Sequence, residues 1–82
     1  MQDKRLFLVR HARNKCRRFG IIISEIEEAL DEPEGTAPSI KNRVNYWRRW
    51  RNEWLRVTAV EEADRIVIVS VTLRRKGLEG VP

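Results

Sequence analysis

The sequence predicts an α+β domain, two N-terminal helices packed on one face of a three- to four-stranded antiparallel sheet in the order β-α-α-β-β-β. Three observations carry that expectation. Apolar residues recur at helical spacing before residue 31, β-branched and aromatic residues dominate after residue 40, and a Pro- and Gly-containing stretch separates the two regions. A chain of 82 residues has room for one domain, assigned here to residues 1–76 with a flexible C-terminal tail at 77–82. By size scaling such a chain hides only about 60 to 65% of its unfolded surface, so its core is thin.

Each element has a local reason. Leu6-Phe7-Leu8-Val9 is a short apolar run that reads as a strand, although periodicity alone also allows a lead-in to a helix. Leu8, Ala12, Cys16 and Phe19 recur at intervals of four, four and three, which places them on one face of a helix over 10–19. Gly20 ends it, because the residue after the last turn often adopts a left-handed conformation, and Arg17 and Arg18 suit the negative end of the helix dipole. Ser24 followed by Glu27 is a capping box that starts a second helix, with a stripe of Ile26, Ala29 and Leu30 and a stop at Pro33. Residues 32–39 read as a loop, and the segments 41–50, 53–61 and 65–74 read as an antiparallel meander.

The period of two assigns the sheet faces. Leu55, Val57 and Ala59 are expected under the helices, as are Val67, Val69, Val71 and Leu73, leaving Ile66, Ile68, Ser70, Thr72 and Arg74 outward. If Arg51-Asn52 is a two-residue turn, Trp50 faces Glu53, Arg49 faces Trp54 and Trp47 faces Arg56, so the outer face alternates Arg and Trp. A change of one residue in that loop would swap the faces of the first strand.

Charge narrows the function classes. Seventeen Lys and Arg against twelve Asp and Glu give +5, and thirteen of the seventeen are Arg, the side chain suited to forked phosphate contacts and stacking. Residues 1–23 carry +6 and residues 24–35 carry −6, so the excess resides in residues 36–60, at +5. One cysteine and one histidine exclude an internal disulfide and leave too few ligands for structural zinc, and the acidic block reads as helix charge and a solvated face. No cofactor or metal is expected. No apolar run approaches the ~20 residues of a membrane span, and the N-terminal segment lacks a signal-peptide apolar core, which reads as a cytoplasmic protein without membrane contact.

The quartet Trp47, Arg49, Trp54 and Arg56 is the most informative constellation, because indoles stack on bases while guanidiniums hold phosphates. The same residues also suit a protein interface, including a homodimer through the Trp-rich face, or plain cross-strand stabilisation. Arg10, Arg13, Arg43, Arg75 and Lys76 extend the candidate nucleic-acid surface, and Arg74-Arg75-Lys76 reads either as a phosphate clamp or as a solvated end. His11 is the candidate general base of a metal-independent ribonuclease, with Arg56 and Arg74 steadying phosphate charge; the plainer reading makes it structural. Tyr46 is the alternative proton carrier, unless it points inward with Val44 as core. Cys16, on the apolar stripe, reads as a small buried hydrophobe.

The run His11-Ala12-Arg13, Gly20-Ile21, Ser24-Glu25-Ile26-Glu27-Glu28-Ala29-Leu30 with Pro33, Tyr46, Leu55-Arg56-Val57 and Ile66-Val67-Ile68-Val69 resembles a small domain-of-unknown-function family. That family's pattern is an "HA-R" helix, a "GI-S-EEI" helix and a closing "LRVV…IIVITV" hairpin, and it is similar in layout to the RelE/ParE/BrnT-like toxins. The likeness covers about residues 6–74. It departs at the three isoleucines between Gly20 and Ser24 and at the three tryptophans. It implies a RelE-like fold, RNA or the ribosome as partner, an antitoxin protein as a further one, and endoribonuclease activity of a toxin-antitoxin system. A non-catalytic nucleic-acid- or protein-binding module is the alternative.

Overall fold

The computed structural model describes residues 4–75. Along them run β1 (Arg5–Leu8), α1 (Arg10–Phe19), α2 (Ile23–Asp31), β2 (Gly35–Pro38), β3 (Val44–Trp50), β4 (Glu53–Glu61) and β5 (Arg65–Arg74). The α+β class holds, but the sheet is five-stranded and mixed, in the order β1-β5-β4-β3-β2, with β1 parallel to β5 and the other pairs antiparallel. Parallel pairing requires a long crossover, and everything from α1 to β4 supplies it.

β2 lies within the stretch read as a loop. Its Gly and Pro argue against a central strand, and the structure places it at the sheet edge, where one side needs no partner. The segment expected as strand from residue 41 begins instead at Val44. Lys41 and Asn42 have φ of 54° and 62°, and the Arg43 N–H donates to the Ile40 carbonyl at 3.0 Å, closing a two-residue turn between β2 and β3.

α1 spans the expected residues and ends as expected. Gly20 has φ 76°, and its N–H and that of Ile21 both donate to the Cys16 carbonyl. α2 starts one residue before Ser24, so the capping box is not formed there. The Glu25 carboxylate instead accepts from the Ile22 N–H at 3.0 Å, which supplies the acidic half of such a motif.

The core lies between the helices and one face of the sheet. Ala12, Cys16, Ile26, Ala29 and Leu30 from the helices meet Leu8, Trp50, Leu55, Val57, Ile66, Ile68 and Val71 from the strands. Each fully buried aliphatic side chain of this set contributes about 1.5–3 kcal/mol. The β3–β4 register is the expected one, with Trp50 opposite Glu53, Arg49 opposite Trp54 and Trp47 opposite Arg56. The face assignment of β5 is corrected. Thr58 pairs with Ser70 while Ala59 pairs with Ile68, so Val69 is an extra residue and the alternation shifts there. Val71 and Leu73 face the helices as expected, but Ile66 and Ile68 join them in the core in place of Val67 and Val69.

Candidate nucleic-acid interface

Both helices pack on one side, so the opposite face of β3, β4 and β5 has to protect its own apolar side chains. Trp47, Arg49, Trp54, Arg56, Thr72 and Arg74 share that face by register. Trp47 is only 4% exposed although no helix among the described residues covers this side. The Arg56 and Arg74 guanidiniums lie over its ring at 5.7 and 5.9 Å from the centroid, and Arg49 lies over Trp54 at 5.4 Å. Long arginine stems spread on an indole exclude water from it while keeping the charged head outward. Gly35 is the register partner of Trp47 on β2 and adds no side chain beside it.

The Glu34 carboxylate accepts from the Arg49 backbone N–H at 2.6 Å, but the arginine guanidiniums of the face make no ion pair. Among the described residues the ion pairs are Lys4 with Glu61, Arg48 with Glu28 and Arg65 with Glu62, and none reaches Arg49, Arg56 or Arg74. Burial, with the Arg74 charge as a second cause, lowers the Arg56 pKa from its ordinary value, and the guanidinium remains charged at neutral pH. Arg56 Nη2 donates to Thr72 Oγ1 at 3.4 Å, while Arg56 Nε and Trp47 Nε1 are buried donors without a partner. Thr58 donates to Asn45 Oδ1 at 2.6 Å on the same face, fixing the polar side chains next to the Trp47 site.

This geometry alters the expected division of labour. The sequence reading has Trp47 stack on a base, but its ring is buried with two guanidiniums over it and serves as their platform. Trp54, half-buried under Arg49, is the indole left within reach of a planar ligand. The face therefore presents cations at fixed positions, which suits a phosphate backbone.

The other expected residues do not converge on it. His11 is exposed on α1, in the helical layer, where it lines a shallow surface depression with Asn14, Lys15 and Arg18. Arg56 and Arg74 are on the far side of the sheet, so His11, Arg56 and Arg74 do not form one catalytic set. Tyr46 faces the helices and packs on the core; burial, and then the charge of Glu61, raises the pKa of its phenol. It is core, not a surface proton carrier. Arg10 and Arg13 are exposed on α1, Arg13 donating to the Leu8 carbonyl at 3.3 Å, and Arg43 ends the β2–β3 turn. Arg75 follows β5 and lines a cleft with Arg18, Phe19, Trp50 and Arg51. Lys76 and the tail at 77–82 lie outside the described residues.

That cleft escaped the sequence reading. Its signal is present in the sequence, since Arg51 adjoins Trp50 and Arg18 adjoins Phe19, but Arg51-Asn52 reads as a turn. No family model, curated protein or solved structure matches the chain.

Proposed function

We propose that this protein is a small nucleic-acid-binding module that holds single-stranded RNA on the exposed face of its sheet, without cleaving it. The observation carrying this reading is the trio Arg49, Arg56 and Arg74, whose guanidiniums are posed on two indoles and form no salt bridge among the described residues. Positive charge held in place on a β-sheet, beside a half-buried Trp54, matches the backbone-first binding of single strands. The order of elements follows the β-α-α-β-β-β layout of RelE-like toxins with β2 added, which supports a ribosome- or RNA-directed role and an antitoxin-like protein partner. The ribonuclease activity of such toxins has less support, because the one histidine is on the other layer from the arginine trio.

Binding of a fluorescent 12-nucleotide RNA tests the reading. Affinity is expected to fall steeply with salt, and Arg49→Gln, Arg56→Gln, Arg74→Gln together to reduce the slope of log K against log salt by about 2. A slope unchanged in the triple variant would place binding elsewhere. His11→Gln is expected to bind like the parent protein, and RNA cleavage abolished by that substitution would overturn the non-catalytic reading.

A further inference from the structure

The end of the sheet where the β3–β4 turn and the last residues of β5 meet the C-terminus of α1 forms an open cleft of about 810 Å³. Arg18, Phe19, Trp50, Arg51, Asn52, Glu53, Leu73 and Arg75 line it. Phe19, Trp50 and Leu73 supply apolar area, and three arginines come from three different elements of the chain. None of the three has a carboxylate partner among the described residues.

Arg51 is the first central residue of the two-residue β3–β4 turn, and its φ of 56° is what such a tight connection requires. Its guanidinium lies 4.4 Å from the centroid of Trp50, nearer than any other cation to its ring in the protein's described aromatic pairs. Trp50 itself is 8% exposed, so the indole is a fixed support with Arg51 as its upper surface. A guanidinium plane held on an indole offers a platform for a nucleobase.

From these we infer that the cleft is a site for a nucleoside monophosphate, with the base on the Arg51–Trp50 stack and the phosphate between Arg18 and Arg75. A terminal phosphate carries about −1.5 to −2, against −1 for a phosphodiester, so it gains more from several arginines lining one cleft. Asn52 and Glu53 complete the chemistry: the amide offers both donor and acceptor, and the carboxylate accepts from ribose hydroxyls or a base amino group. Two sources supply this ligand, a free mononucleotide and the phosphorylated end of an RNA strand. The second rests on the RNA-binding reading above; the first does not.

The inference is tested by calorimetric titration of the whole protein with UMP, AMP, uridine and inorganic phosphate at one ionic strength. Nucleoside monophosphates are expected to bind at least about tenfold more tightly than uridine or phosphate alone. Arg51→Gly removes the stacking cation and suits the positive φ, so it should fold with a Tm within a few degrees of the parent while losing UMP affinity about tenfold or more. Equal affinity for UMP, uridine and phosphate, or full affinity in a folded Arg51→Gly protein, would overturn the site. A parallel titration with a short RNA bearing either a 5′-phosphate or a 5′-hydroxyl separates the sources. Preference for the phosphorylated end, lost in Arg51→Gly, supports a strand-end site, whereas UMP binding without that preference overturns the strand-end source and leaves the free-nucleotide site. Failure of both RNAs to bind while UMP still does would remove the sheet-face reading alone.

Discussion

Lys41 and Asn42 occupy left-handed conformations at a turn where neither is the residue that geometry favours. A two-residue turn with both φ values positive prefers Asn followed by Gly, because glycine has no Cβ to clash and asparagine tolerates the region. Lys41→Asn combined with Asn42→Gly is therefore expected to raise unfolding free energy by about 0.5–1 kcal/mol, read as a higher urea midpoint. Titrating side chains make a second prediction at this scale. Burial raises the pKa of the Cys16 thiol from its usual 9.0, and burial with Glu61 raises that of the Tyr46 phenol from 10.0. Both are acids kept protonated by folding, so above those usual values the folded chain binds more protons than the unfolded one. Stability from this source is complete below pH 9 and declines as pH rises through the raised values. Urea midpoints measured from pH 8 to 11 are expected to fall above pH 9, and Tyr46→Phe to flatten the decline beyond pH 10. A decline identical in the phenylalanine variant would assign it to other groups.

Among the elements, β5 shows most clearly how one residue redistributes a core. A strand alternating without interruption from Val71 would have put Val69 and Val67 under the helices; the bulge at Val69 puts Ile68 and Ile66 there. Ile68 is fully buried and Val69 is partly exposed, so Ile68→Ala is expected to cost about 2–5 kcal/mol and Val69→Ala less than about 1. The reverse order in equilibrium unfolding would restore the uninterrupted register. Bulges leave little trace in a run such as Ile66-Val67-Ile68-Val69, where both faces offer a β-branched residue and hydrophobicity cannot tell them apart. The β3–β4 hairpin was legible for the opposite reason. Arg and Trp differ sharply, and a two-residue connection leaves only one pairing of Trp47 with Arg56.

At the scale of the whole molecule, two short helices cover one face of a five-stranded sheet, and the edge strand β1 completes the layer beneath them. A domain of 82 residues has about 4–12 kcal/mol in reserve, since net stability runs near 0.05–0.15 kcal/mol per residue. Leu8 of β1 is buried in the same cluster as Ala12, Cys16 and Ile68, so Leu8→Ala is expected to remove about 2–4 kcal/mol. The chain should lose α1 and the sheet together, seen as coincident circular-dichroism and tryptophan-fluorescence transitions at a lowered urea midpoint. A fluorescence transition that stayed at the parent midpoint would show β1 to be an independent appendage. The same one-sided layering explains the arginine-covered face: with no second helical layer among the described residues, Arg56 and Arg74 lie over Trp47, and that cover is also the charged surface.

The order of residue types was enough to determine the α+β class, α1 and its glycine stop, the β3–β4 pairing and the Arg and Trp character of the outer face, because each rests on contacts a few residues apart. Tertiary structure alone decided that β1 runs parallel to β5, that Gly35–Pro38 completes an edge, and that His11 and the arginine trio lie in different layers. It also brought Arg18, Arg51 and Arg75 to one cleft from positions far apart in the chain. Those outcomes depend on how a helical layer closes over a sheet and which edges remain open, and local periodicity carries no term for either.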